Sequence, residues 1–441
     1  MDKVVYLLYL FLTTTTLVLI LRALWSYTME RPVQLRALGL MVVFISGLVA
    51  VYFYVRERQP DALGDARAEF AAAPNAPIKI AAVWPEDDPG FFAGAQRAVQ
   101  EINASEPSFL SNDGEVVNFT VEIENFPYDA TSGPTIGRDV IKDTQVLGVV
   151  GHADAGSAIR GSASYHASDL VQFVPSVRQT SLTENPFKST FQLIADDYFV
   201  VDAIADFILE NGYKKVAIFA ARDDYSHQLY VYFQNALATK VLGNDQRHEA
   251  DRIEDPDFVP LATYLTYEDS SLVYRELVTT VSEQSPDFML IFDEDPGAVD
   301  LLLEIMRRRL DLPVVILPEI ASYYPSIAGS VLSTIDDAQK ELIHVVDLND
   351  ALIRANQADG PFREALVSNY AYDSVILMAE MWKRAATLVP HEAATELRAL
   401  PDWNFAGQTI DFSSRGSLLD PKVDIRVLTD VFPASSPATD D

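Results

Sequence analysis

The sequence predicts an α/β fold built on parallel sheets, and two features of its patterning carry that prediction. Between Leu147 and Leu237, short apolar runs end in small or hydroxylated loops, and helical patterns follow: LGVVG before HADAGSA, FV before PSVRQTS, VAIFAA before RDDYS. Apolar run, small or hydroxylated loop and helical pattern in that order are the grammar of a parallel α/β sheet. Parallel sheets bind ligands in the crevice beyond the carboxyl ends of their strands. Function is therefore expected in the loops after Val150, Val174 and Phe219.

In chain order, the first elements are two uncharged stretches, Val4 to Leu21 and Ala37 to Val55, flanked by Lys3, Arg22, Arg36 and Arg56. Each is long enough, or nearly so, to cross a hydrocarbon core as a helix, so residues 1–58 are expected to form a two-span membrane anchor. A secretory signal has a shorter apolar stretch and leaves the second segment unexplained. Arg22, Arg31 and Arg36 on the connecting loop balance Lys3, Arg56 and Arg58 on the other side, so charge does not orient the hairpin. Residues 59–77, QPDALGDARAEFAAAPNAP, read as an Ala/Pro-rich spacer.

The remainder repeats strand, loop and helix: IKIAAVWPEDDPGFFAGAQRAVQEIN from Ile78, then the stretch from Leu147, then PDFMLIFDEDPGAVDLLLEIMRRRLDLPVVILPE from Pro286. It closes on NYAYDSVILMAEMWKRAATL and FAGQTIDFSSRGSLLDPKVDIRVL. This order, with FVPS, SLTENP, FQLIADD and GYKKVAIFAARDDY between, resembles the branched-chain amino-acid binding proteins, the type I periplasmic solute-binding family that serves ABC transporters. The resemblance spans roughly residues 78–428. It implies two Rossmann-like parallel-sheet lobes joined by three hinge crossings, lobe 1 from 78–195 and 346–406, lobe 2 from 196–345 and 407–432. Residues 433–441 are left as a disordered acidic tail. A family member works outside the cytoplasm, which implies a bacterial inner-membrane anchor with the main domain on the periplasmic side.

The resemblance also implies a site. Tyr225, in ARDDYS, and Glu319, in LPEIAS, fall on the family's second-lobe tyrosine and ammonium-binding glutamate; Trp84 lies near its first-loop aromatic. The carboxylate half departs from the pattern. Ala155 stands where a Ser is usual and Arg178 where a Thr is usual. Ser157, Ser176 and backbone amides are the candidate replacements. Arg178 either binds a carboxylate through its fork or pairs with Asp154 and closes the pocket.

Charge sharpens the expected ligand. The 441 residues carry a net charge of −31, although residues 1–58 hold more basic than acidic side chains. Such a surface disfavours nucleic acid and anionic headgroups. Acids also follow the strands: Glu86, Asp87 and Asp88 after IAAVW, Asp154 after LGVVGHA, Asp223 and Asp224 after VAIFAAR, Asp293, Glu294 and Asp295 after FMLIF, Glu319 after VVILP. Loops at strand ends share one crevice, so the cleft is expected to be strongly negative, with some of these acids capping helices instead. The ligand-binding set is therefore Trp84, Asp154, Ser157, Ser176, Arg178, Tyr225, Asp224, Asp295 and Glu319, for a small cationic or zwitterionic solute such as an amino acid, amino amide or polyamine.

Other classes find no support. The chain has no Cys, hence no disulfide, thiolate site or lipid-modified cysteine. There is no G-x-x-x-x-G-K-[ST] loop, HEAAT at His391 is not HExxH, GSAS at Gly161 is not a nucleophile elbow, and no EF-hand pattern occurs, so no enzyme, cofactor or metal is expected. The expected function is solute capture for an ABC permease. The alternative is an accessory or sensory subunit that uses the fold to engage another membrane complex, its hairpin packing through Gly39, Ser46, Gly47 and Ala50.

Overall fold

A computed structural model describes residues 62–129, 131–133, 135–185, 187–242, 265–267, 271–294, 297–319, 335–348, 362–399, 403–405 and 408–431. The apolar stretches 4–21 and 37–55, Asp295 and the tail 433–441 lie outside the described residues. Among the described residues no helix is long and apolar enough to cross a membrane.

The first described element is helix α1, Ala62–Ala72, within the segment read above as a spacer. One residue accounts for the difference. Arg67 is fully buried, and its guanidinium donates to the carbonyls of Val146 (2.7 Å), Ile141 (3.0 Å), Asp143 (3.1 Å) and Ser168. Composition alone suggests a free linker, but one cation with five fixed donors can dock a helix onto a cluster of backbone acceptors.

Lobe 1 follows. Strand β1 (Ile78–Pro85) leads to α2 (Gly90–Ala104), a small hairpin of β2 (Ser108–Leu110) and β3 (Val116–Asn118), and β4 (Val121–Tyr128). Next come α3 (Gly137–Val140), β5 (Val146–Gly151), α4 (Ala155–Ala167), β6 (Val171–Val174) and β7 (Thr190–Gln192). The sheet order is β4-β1-β5-β6-β7, parallel throughout. Every residue of β5 and β6 is buried, because helices cover both faces.

Lobe 2 begins with α5 (Asp197–Glu210) and β8 (Val216–Ala221), then α6 (Asp224–Leu242), β9 (Leu265–Tyr267) and α7 (Ser271–Glu283). It continues with β10 (Phe288–Phe292), α8 (Gly297–Arg307), β11 (Val314–Ile316), α9 (Asp337–Lys340) and β12 (Ile343–Asp347). The chain then returns to lobe 1 as α10 (Phe362–Ala385), α11 (Pro390–Ala399) and the ribbon of β13 (Trp403–Phe405) and β14 (Gln408–Ile410). Gly94 of α2 sets the contact with α10: a Cβ there would stand 1.9 Å from the Ser368 carbonyl oxygen, so the two backbones touch. Ile410 and Phe412 still belong to the lobe 1 core, with Phe412 5.0 Å from the Phe191 ring. The last passage to lobe 2 thus comes later than residue 407, just before β15 (Asp424–Val427) and α12 (Leu428–Val431). The second sheet runs β15-β12-β11-β10-β8-β9, parallel except for β15 against β12.

Both sheets reverse their winding at one point, between β1 and β5 in lobe 1 and between β8 and β10 in lobe 2. Loops on either side of such a switch diverge and leave a crevice.

Candidate functional site

The loops at the two switch points enclose one cavity of about 750 Å³. Lobe 1 contributes Trp84 to Asp88 from the end of β1 and its loop, Tyr128 and Asp129 from the end of β4, Ala153 to Ala155 after β5 and Ser176 to Gln179 after β6. Lobe 2 contributes Tyr225, Glu294, Pro318 and Glu319, and α10 adds Leu366, Val367 and Tyr370. Seven carboxylates line it, from Glu86, Asp87, Asp88, Asp129, Asp154, Glu294 and Glu319, against one cation, Arg178. Among the described residues no group of three or more His, Asp or Glu side chains is arranged to hold a metal ion.

Asp154 caps α4 from an extended backbone. Its carboxylate accepts from the Ser157 amide (2.8 Å), the Ser157 hydroxyl (2.6 Å) and the Tyr128 hydroxyl (2.9 Å). Burial alone would raise its pKa, but those donors outweigh it and hold Asp154 below the ordinary carboxylate value. Behind it His152 is fully buried against the Tyr165 hydroxyl, 2.9 Å away, and burial depresses its pKa to about 4, so the ring is neutral at pH 7. Ser157 spends its proton on this cap, is 1% exposed and does not line the cavity. Ser176 donates to the His152 carbonyl at 3.0 Å. The first-lobe hydroxyls expected to receive a ligand carboxylate are thus engaged in holding their own loops.

Trp84 lines the cavity, but its ring lies flat on Phe91, with centroids 4.1 Å apart and planes 2° apart, and is 4% exposed. Asp224 is exposed at the first turn of α6 and outside the cavity lining. The capping position there belongs to Asp223, which accepts from the Ser226 amide and hydroxyl.

The partners of Arg178 lie in the second lobe, and Asp154 is not among them. Its side chain, 1% exposed, crosses over from lobe 1. Nη2 donates to the Tyr225 hydroxyl (2.7 Å), Nη1 stands 3.0 Å from a Glu319 carboxylate oxygen, and Nε stands 3.5 Å from Asp197. The Tyr225 hydroxyl in turn donates to Asp197 at 2.8 Å. Burial opposes the guanidinium charge, but Glu319, Tyr225 and Asp197 outweigh it and hold its pKa well above the ordinary value. Two carboxylates share this one buried cation. Asp197, removed from water and beside Glu319, is therefore pushed from 3.8 up to about 6 despite the guanidinium.

Asp197 is the member of this cluster that sequence reasoning passed over. A signal exists in ADDYF: two acids open α5, and only one can cap it. Asp196 does so, accepting from the Tyr198 amide, which leaves Asp197 to face inward.

A family model described as "Receptor family ligand binding region" matches residues 93–251. No curated protein matches the chain by sequence. Among solved structures, the chain is similar to an ABC transporter substrate-binding protein from Desulfitobacterium hafniense, with TM-score 0.59 and 18% identity over 79% of this chain and 100% of that one. It is also similar to the branched-chain amino acid transporter substrate binding protein LivJ from Streptococcus pneumoniae, in complex with isoleucine, with TM-score 0.55 and 17% identity over 78% and 94% of the two chains. A third is an ABC transporter solute binding protein from R. palustris in complex with 4-hydroxybenzoate, with TM-score 0.58 and 13% identity over 80% and 93%. At these identities the likeness is one of fold: the chain has the two-lobed architecture of type I solute-binding proteins.

Proposed function

We propose that this chain is an extracytoplasmic solute-binding protein that takes a small amine-bearing cation into its interlobe cleft. The observation that carries the reading is the charge of the lining, seven carboxylates against one guanidinium that is already paired within the protein. Low-dielectric walls focus such a field on a positive ligand and repel an anionic one. Tyr128, Tyr225 and Tyr370 line the same space, and aromatic residues there favour a cation with an apolar body.

The lining also narrows the ligand class. A free carboxylate needs donors, yet Ser157 donates to Asp154, Ser176 donates to a backbone carbonyl, and the charge of Arg178 is already paired with Glu319 and Asp197. An amine without a carboxylate, an amino amide or a short polyamine, fits better than an amino acid or an aromatic acid. Two of the structurally similar proteins are by name binding proteins of ABC transporters, and an ABC permease is the proposed recipient. The apolar stretches 4–21 and 37–55 are the proposed membrane tether, on their length and lack of charge.

Isothermal titration of the full chain with leucinamide, leucine, putrescine and 4-hydroxybenzoate tests this. Leucinamide and putrescine should bind, weakening as salt screens the cleft, and leucine should bind at least tenfold more weakly than its amide. Equal affinity for leucine and its amide, or binding of the benzoate alone, overturns the reading.

The accessory or sensory reading draws on a different observation, the pairing of Arg178 with Tyr225 and Glu319, which links the two lobes through the protein's own side chains. A mild-detergent pull-down separates the two, with a stoichiometric ABC permease favouring transport and another membrane complex favouring the accessory role.

A further inference from the structure

We infer that Arg178 is a resident occupant of the cleft: a lobe 1 guanidinium that fills the cation subsite formed on lobe 2 by Asp197, Tyr225 and Glu319, and so determines which solutes the cleft accepts. The inference rests on the proposed function only in taking the cleft as the ligand site.

Three features of the geometry support it. Asp197, Tyr225 and Glu319 come from separate parts of lobe 2, the start of α5, the start of α6 and the loop after β11, and converge on the Arg178 guanidinium, Tyr225 and Glu319 from the cavity wall and Asp197 from behind it. Two carboxylates and a phenol at that point form a receptor for a cationic head. The head present belongs to the chain itself, and it arrives from the opposite lobe, 2.7 Å from the Tyr225 oxygen and 3.0 Å from Glu319. Finally, Asp197 Oδ2 is buried with no hydrogen-bond partner among the described residues, so the receptor has acceptor capacity that Arg178 leaves unused. An occupant chosen only for packing would not need charged walls, whose desolvation is costly unless a cation repays it.

The consequence is specificity by exclusion. A solute whose ammonium must reach Glu319 and Tyr225 has to displace a tethered guanidinium that carries no translational entropy cost. Solutes that place their charge elsewhere along the acidic lining do not have to displace Arg178. The same contact also links the lobes, together with the Thr180 and Tyr232 hydroxyls at 3.1 Å.

Chemical rescue tests the assignment. In Arg178→Ala, methylguanidinium should bind at pH 7.5 at least tenfold more tightly than to the unchanged protein, and should raise its melting temperature, where the unchanged protein shows no such response. Arg178→Lys, which retains a tethered cation, should show little of the gain. If Arg178→Ala does not fold, the double variant Arg178→Ala with Asp197→Asn removes both buried charges and leaves Glu319 and Tyr225 to take the probe. A folded variant that responds to methylguanidinium no more than the unchanged protein overturns the assignment. So does an affinity for leucinamide that falls when Arg178 is removed, because Arg178 would then assist the ligand rather than exclude it. Absence of any amine binding by the unchanged protein refutes the proposed function instead, and leaves a gain in Arg178→Ala standing.

Discussion

Replacing Asp197 with asparagine should alter how stability depends on pH, because this carboxylate is held far from its ordinary ionisation. Its pKa is raised from 3.8 to about 6, chiefly by burial and further by Glu319, with Arg178 and the Tyr225 hydroxyl opposing. Between those two values the folded chain holds a proton that the unfolded chain has released. Stability from this group is therefore present in full below about pH 4 and is lost as pH rises through about 6, opposite to the trend for an ordinary salt-bridged aspartate. A displacement from 3.8 to about 6 corresponds to about 3 kcal/mol. The substituted asparagine cannot ionise, yet its amide oxygen still accepts from Tyr225 and leaves Glu319 as the partner of Arg178. Urea unfolding of the full chain and of Asp197→Asn, followed by tryptophan fluorescence from pH 4 to 7.5, isolates the effect, since other titrating groups cancel in the difference. The variant should gain on the parent by on the order of 3 kcal/mol across that range, most of it between pH 4 and 6. A difference that stays flat, or runs the other way, refutes the account of two carboxylates sharing one buried guanidinium.

Three further outcomes follow from the packing. Gly94→Ala drives a methyl group into the Ser368 carbonyl and should destabilise the chain by roughly 1–3 kcal/mol, read as a lower melting temperature with faster hydrogen exchange in 90–104 and 362–385. Arg67→Ala leaves buried carbonyls without their donor, at about 1–3 kcal/mol for each that finds no substitute, and should expose amides of 62–72 to exchange while those of β5 stay protected. Asp154→Ala removes a helix cap and should cost about 1 kcal/mol, whereas Asp154→Asn keeps the capping oxygen and should lose much less. If the two are equally destabilised in thermal unfolding, the cap is not what Asp154 provides.

The strands were legible because burial on both faces demands continuous apolar runs. VLGVVG, VAIFAA and FMLIF could be read directly, and they sit as β5, β8 and β10. The location of the cleft followed from strand order, since carboxyl-end loops at a switch point must face a crevice. Roles within the cleft were less legible. Asp154 and Ser157 occupy the positions a ligand-binding pair would take, but Asp154 opens a helix, and an aspartate there meets amide hydrogens before it meets a solute. Trp84 reads as a stacking platform, and its partner is Phe91 of the same lobe. The spacer from 59 to 77 reads as loose because Ala and Pro dominate it, whereas Arg67, one residue among them, reaches four carbonyls spread from Ile141 to Ser168.

By itself, the sequence determined the α/β class, the acidity of the cleft and the loops that line it, because these depend on residue type and on short-range order along the chain. Only the tertiary structure decided that Arg178 meets Asp197, Tyr225 and Glu319. Those residues lie on separate loops of two lobes, and their pairing depends on how the lobes face each other. Whether a buried carboxylate binds a ligand or a neighbour is settled by the nearest cation, and no local pattern in the sequence encodes that distance.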